Sequence, residues 1–218
     1  MLHLDNVDLI IIDCVEVSQA LDTLRACSEE IKFGKVCIFT HENITSDFCE
    51  VIQIDEIDTI DKYSDFCLRL KDYLSNEYVL LVQNDGFILN PDLWSDDFLN
   101  YDYIGAPWNF TFVPGQRIGN GGFSLRSKRF LEFSSEFETT NGVPEDNFLC
   151  LNNYELAINR GLKFAPLNLA SKFAHEYQNP MKWQFNPEDH FGFHGKENVE
   201  DAKKFILKRK TESLEVWN

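Results

Sequence analysis

Five side chains, at four separate places along the chain, are of types that do chemistry: Asp85, Arg126, Glu145, Asp146 and His194. Asp85 lies in Tyr78 to Gly86, YVLLVQNDG, where an apolar run dense in β-formers ends on Gln83, Asn84, Asp85 and Gly86. Such a run predicts a buried strand that delivers a lone carboxylate to the edge of a sheet, where open α/β sheets bind their ligands. Pro144-Glu145-Asp146 opens a helical pattern through Phe148, Leu151, Tyr154 and Ile158 that stops at Gly161. A carboxylate there is fixed by the backbone and suits a general base, although the macrodipole by itself lowers its pKa and any helix start can look like this.

Arg126 follows Gly119-Asn120-Gly121-Gly122-Phe123-Ser124-Leu125, three glycines in four residues and then an alternating strand. The glycines mark a sharp turn or a close ligand approach, and a plain hairpin turn explains them equally well. A guanidinium on that strand suits a phosphate or carboxylate clamp. His194, in Phe191-Gly192-Phe193-His194-Gly195, fits either a core histidine or a metal ligand, and the residues alone favour the core.

The elements that must position these groups read as alternating strands and helices. Val7 to Cys14 is a continuous apolar run, as for a strand buried on both faces. A helical pattern starts at Ser18 and is ended by Gly34, before a second strand from Lys35 to Thr40. Cys49 to Ile54 predicts a third strand, and Tyr63 to Leu74 a helix with Phe66, Leu70 and Tyr73 near one face. Strand-end residues in such a half are the natural contacts for a base and ribose, which makes Cys14, Val15, Glu16, Thr40 and Ser64 candidates, though each also reads as a turn or cap residue.

Beyond Asp85, Phe87 to Leu89 is expected to continue the sheet, Asn90 to Asp92 to turn, and Tyr101 to Ile104 to form a strand feeding Gly105-Ala106-Pro107-Trp108. The loop from Asn109 to Gly119, beside Trp108, is long enough to close over a ligand. Leu162 to Pro166 predicts a further strand. Asn198 caps a last helix bearing Lys203, Lys204, Lys208, Arg209 and Lys210, whose basic face is either solvated or a peripheral docking surface for anionic lipid or a partner.

The 218 residues contain no Pro/Ser/Gly-rich linker, so one domain is expected over 1–218, with a nucleotide-binding half at 1–90, an acceptor and catalytic half at 91–198 and the basic helix at 199–218. A net charge of −16 opposes nucleic acid. A diphosphate would need a divalent metal or oriented backbone N–H groups at the site itself. The six cysteines form no CxxC pair and are expected as buried thiols. With no secretory h-region and no apolar stretch near the roughly 18 residues that span a bilayer, a soluble cytoplasmic protein is expected, and the sequon Asn109-Phe110-Thr111 is incidental.

QNDG (83–86), YDYIGAPW (101–108), GNGGFSLRS (119–127), PED (144–146) and FGFHG (191–195) follow in this order between residues 83 and 195. The set resembles a family catalogued as a domain of unknown function and regarded as glycosyltransferase-like with a GT-A fold. The resemblance implies an α/β, three-layer α/β/α sandwich with a mostly parallel central sheet. It also implies transfer of a sugar from a nucleotide-sugar donor, UDP-linked by expectation, to a glycan or related acceptor, inverting and metal-dependent.

Carried over, Asp85 takes the last carboxylate position of a DxD-type motif and His194 the metal-completing histidine, with Mn2+ or Mg2+ as the ion. Gln83 stands uncharged at the first motif position and Asn84 where an aromatic is expected. Gln83, Asn84, Gly86 and Trp108 line the donor side, and Asn120, Gly121, Gly122 and Arg126 the donor sugar and acceptor. Asp146, or less favoured Glu145, is the base.

A non-catalytic module that binds nucleotide sugar or glycan is the alternative, suggested by Gln83. A nucleotidyltransferase fits less well, because Val15 to Ala20 holds no Lys or Arg for a triphosphate.

Overall fold

The computed structural model describes residues 1–74, 76–108, 117–176 and 185–215. The apolar runs read above become the middle of a six-stranded sheet of order β3-β2-β1-β4-β6-β5. β1 is Leu2–Ile12, β2 Ile31–Thr40, β3 Glu50–Gln53, β4 Tyr78–Val82, β5 Tyr103–Gly105 and β6 Phe123–Ser127. β3, β2, β1 and β4 are mutually parallel and β6 runs antiparallel between β4 and β5, so one strand opposes the other five.

Alternation along the central strands sorts the core to two faces. Leu9, Ile11, Leu80 and Val82 face one apolar cluster, and Ile10, Ile12, Val79 and Leu81 the other. α1 (Val17–Ser28) covers the first face through Val17, Ala20, Leu24 and Cys27, the i, i+3, i+4 stripe of an amphipathic helix. α2 (Ile60–Cys67), capped by the Thr59 hydroxyl, covers the second together with the 3-10 turn Leu70–Asp72. Phe66 and Tyr73 set their rings edge-on to Phe39 there, although the helix expected from Tyr63 to Leu74 ends at Cys67 and gives way to the 3-10 turn. The result is the expected α/β/α sandwich.

Beyond β6 come α3 (Lys128–Ser134), α4 (Glu145–Asn147), α5 (Tyr154–Asn159), α6 (Leu167–Phe173) and α7 (Val199–Glu215). A separate parallel pair forms from β7 (Ala174–Glu176) and β8 (Gly192–His194). Phe191, just before β8, is buried at the centre of an aromatic cluster, its ring 5.2 Å from Trp94, 5.9 Å from Phe123 and 5.9 Å from Phe173. Phe191→Ala is expected to cost about 3–5 kcal/mol in chemical denaturation. A cost under 1 kcal/mol would show that β8 is held by other contacts.

Several boundaries differ from the sequence reading. β1 begins at Leu2, because Leu4 is buried and the chain re-registers between Leu4 and Asp8. Gly34 does not end a helix. It lies inside β2, where a Cβ would come within 2.5 Å of the Asp5 carbonyl oxygen and 2.3 Å of Asn76 Nδ2. Phe87 to Leu89 leaves the main sheet, and Ile88 bridges to Gly192. Leu162 to Pro166 makes only a bridge, Phe164 to Tyr103. The helix after Pro144 is interrupted by a π turn at Phe148–Asn152. The Asn120–Gly122 segment leads into β6 at the end of the long connection between β5 and β6, which pair antiparallel, so it belongs to a wide hairpin and is not a tight turn at a hairpin tip.

All six cysteines are free thiols. No helix among the described residues is long and apolar enough to cross a membrane. The basic set on α7 is largely spent within the molecule: Arg209 pairs with Glu30, Lys210 with Glu29, Lys204 with Glu200 and Lys208 with Glu212. That pairing removes most of the charge the docking reading relied on. The expected ligand loop, Asn109 to Gly119, falls largely outside the described residues.

Candidate active site

β4 ends in a tight turn. Gln83 and Gly86 exchange backbone hydrogen bonds, Gly86 N–H to Gln83 O at 2.9 Å and Gln83 N–H to Gly86 O at 3.2 Å. Asn84 and Asp85 therefore sit at the tip, past the carboxyl edge of the sheet. The Asn84 amide donates to Asp13 Oδ2 at 2.7 Å, and Asp13 Oδ1 accepts the Val15 and Glu16 N–H groups at 2.7 Å each. This ties the turn after β4 to the start of α1. Gly195 N–H donates to the Asp85 carbonyl at 2.9 Å, and Gly195 has the left-handed φ of +116° that the link requires.

That link brings His194 beside Asp85. Its Nε2 lies 3.1 Å from Gln83 Oε1 and 3.4 Å from Asp85 Oδ1, and its Nδ1 3.0 Å from Glu176 Oε1. Every one of these partners is an acceptor, so both ring nitrogens carry protons. Burial pulls the imidazole pKa down, but its hydrogen bonds to Asp85 and Glu176 and their charges outweigh that and raise it to about 9. Burial likewise pushes the Asp85 carboxyl up, and the imidazole's hydrogen bond and charge outweigh it and hold Asp85 below its ordinary value. Asn120 Nδ2, 3.1 Å from the protonated Nδ1, is in contact only.

The glycine turn passes between this group and the acid pair. A Cβ on Gly122 would fall 2.2 Å from His194 Nε2, and one on Gly121 would fall 2.8 Å from Glu145 Oε1 and 3.1 Å from Asp146 Cβ. Gly121 N–H donates to Asp146 Oδ2 at 3.2 Å, and Asn147 N–H to Oδ1 at 2.7 Å. Burial first and the neighbouring Glu145 charge second raise the Asp146 carboxyl to about 7, against the downward pull of those amides. The dipole argument from sequence gave the opposite sign, because it could not see the burial.

Glu145 is engaged elsewhere. It is buried, its Oε1 2.5 Å from Arg126 Nη2. Arg126, 1% exposed, is a carboxylate clamp as its type suggests, but the carboxylate is the protein's own, so it does not reach a ligand. Glu145 is likewise removed as a free base.

A cavity of about 450 Å3 opens at the carboxyl edge of the sheet, lined on one side by Asp13, Cys14 and Val15 and on the other by Ile57 to Ile60 and Tyr63, with Gln83, Asn84, Asp85 and Lys196 at its end. Of the expected base and ribose contacts, Cys14 and Val15 line it. Thr40 and Ser64 do not: Thr40 is buried and its hydroxyl accepts the Glu42 N–H, and the buried Ser64 hydroxyl accepts the Glu145 N–H. Glu16 is exposed at the start of α1 and lies outside the lining. Trp108 is buried with its ring against Gly119 and is absent from the cavity lining. Gly86 is a spacer, since a Cβ there would meet Gly122 O, Phe193 O and His194 Cδ2 at 3.0 Å each.

Asp13, Tyr63, Glu176 and Lys196 were not singled out from sequence. Asp13 carried the signal used for Asp85, an acid closing an apolar run. Lys196 follows the Gly195 bend directly. Glu176, alone on a short strand, gave none until β7 paired it with His194.

Among the described residues no group of three or more His, Cys, Asp or Glu is arranged to hold a metal ion. Asp85 Oδ1, Gln83 Oε1 and His194 Nε2 nevertheless converge, and the Nδ1–Glu176 contact is the outer carboxylate that metal-binding histidines commonly have. Once Nε2 gives up its proton, this donor set fits a divalent ion that takes its remaining oxygens from a bound ligand.

The model of a family described as a protein of unknown function, DUF5672, matches residues 48–194. No curated protein matches the sequence. The structure of a galactosyltransferase, LgtC, in complex with donor and acceptor sugar analogues superposes with a TM-score of 0.55 at 13% identity, over 92% of this chain and 94% of that one. A glycosyltransferase involved in glycosylation of the major capsid of PBCV-1 superposes with a TM-score of 0.52 at 15% identity, over 92% and 98%. These likenesses establish the fold, which is that of GT-A glycosyltransferases.

Proposed function

The chain belongs to the DUF5672 family of proteins of unknown function, and from its geometry we propose a glycosyltransferase that moves a sugar from a nucleotide-sugar donor, UDP-linked, to a hydroxyl of a glycan or related acceptor. One observation carries this reading. The Asn120–Gly122 backbone touches the Asp146 carboxylate on one side and the His194 imidazole beside Asp85 on the other, next to the cavity at the sheet edge.

Cys14, Val15, Tyr63 and the residues from Ile57 to Ile60 enclose the nucleoside. Asp85 and His194, with the Gln83 amide oxygen, would hold Mn2+ or Mg2+, and when bound the ion supplies Lewis-acid stabilisation of the leaving diphosphate. Lys196 offers the diphosphate a positive charge from the cavity wall. The glycine turn lets the sugar lie close to the backbone. Asp146 takes the proton of the acceptor hydroxyl as the new bond to the anomeric carbon forms and the bond to the diphosphate breaks, a single in-line displacement that inverts the centre.

Incubation with a panel of nucleotide sugars, Mn2+ and varied hydroxyl acceptors is expected to release nucleoside diphosphate. Silence across the whole panel would sink the enzyme reading. Lys196→Ala is expected to weaken binding of nucleoside diphosphate about tenfold while leaving nucleoside binding unchanged, as calorimetry would read. Equal losses for both would remove Lys196 from the diphosphate.

A further inference from the structure

Beneath the glycine turn lies a buried polar floor that the chemistry above does not use. Tyr103 on β5 pairs with Arg126 on β6, and both side chains reach forward under the turn. The Tyr103 hydroxyl is 2.9 Å from the Gly119 and Asn120 carbonyl oxygens. The Ser124 hydroxyl donates to the Gly121 carbonyl at 3.0 Å, Arg126 Nη2 meets the same oxygen at 3.4 Å, and Arg126 Nε donates to Ser124 Oγ at 3.0 Å. Carbonyls held from below leave the Gly121 N–H to face Asp146. Arg126 Nη2 also holds Glu145, the residue next to Asp146, while the Glu145 N–H is fixed by Ser64.

We propose that Arg126 and Glu145 are positioning residues for the transfer: one guanidinium nitrogen grips both the Gly121 carbonyl and the Glu145 carboxylate, sets the spacing between the glycine turn and the start of α4, and so aims Asp146 at the acceptor. This rests on Asp146 being the base. The charged and titratable groups around Asp146 are Glu145 beside it, Glu176 from β7, Arg126 from β6, Tyr103 from β5, Cys67 from α2 and Cys150 from the π turn. Glu145 is the largest charge effect among them, and it stays buried next to Asp146 only because Arg126 neutralises it.

Two variants separate this from a merely structural tie. Glu145→Gln removes the charge and keeps an acceptor for Arg126. Carbon-13 NMR of the aspartate carboxyls, which needs no turnover, is expected to show the Asp146 midpoint falling by about one pH unit or more, with the acid limb of transfer moving equally. Arg126→Lys keeps the charge and loses the fork. It is expected to lower kcat at pH 8 about tenfold or more, with KM for the donor within about twofold.

An unmoved Asp146 midpoint in Glu145→Gln, or an unchanged kcat in a folded Arg126→Lys, overturns the proposal, and either variant suffices if the other does not fold. A moved midpoint in a protein that transfers from no donor overturns the enzyme reading and with it the role in transfer, and leaves only the coupling of Glu145 to Asp146.

Discussion

Asp146→Asn is expected to lower transfer by about 10²–10⁴-fold while leaving nucleotide-sugar affinity within about twofold, because it removes a proton acceptor and little shape. Saturation kinetics beside calorimetry would check both halves. A loss of donor affinity equal to the loss of rate would place Asp146 in the donor pocket instead. The native protein is expected to carry a matching signature in pH. The carboxyl is raised to about 7 by burial and then by Glu145, so its basic form disappears as pH falls through 7, and transfer should drop tenfold per unit below that.

Stability runs the other way. A carboxyl that binds its proton more tightly folded than unfolded costs stability as pH rises from its ordinary range through its folded value. Asp146→Asn deletes that cost. Thermal melts at pH 8 should therefore find the variant at least as stable as the native protein, and a lower Tm would mean the carboxylate is needed by the fold itself.

Gly122→Ala is expected to abolish divalent-metal and donor binding, by about a hundredfold or more, in a protein that still folds. The added Cβ would sit 2.2 Å from His194 Nε2, and the imidazole cannot yield without consequence. Its Nδ1 is held by Glu176, and its Cδ2 already closes on Gly86. Retreat carries Nε2 away from Asp85 and Gln83 and dismantles the donor set. Spectroscopic titration with Mn2+ reads this directly. Native-like affinity in a folded Gly122→Ala would show that His194 is not part of that set.

The sequence by itself determined the class of sheet, where its first strands lie along the chain and the placement of Asp85 at an edge. It also marked Asp146 at a helix start and the glycine turn as a place of close approach. These follow from local rules: side-chain periodicity, the β-preference of branched and aromatic residues, and the turn preferences of Gly, Pro and Asn. Tertiary structure alone decided which groups meet. Glu145 looked like a possible base and Arg126 like a ligand clamp, and they became each other's partner, Thr40 and Ser64 turned inward to backbone amides, and Glu176 and Lys196 came forward unannounced. Those outcomes depend on strand order, on the register that sets Glu176 beside His194, and on how much water burial removes around each charge. None of these is encoded in a short window, because each is fixed by segments that lie many residues apart and meet only when the sheet closes.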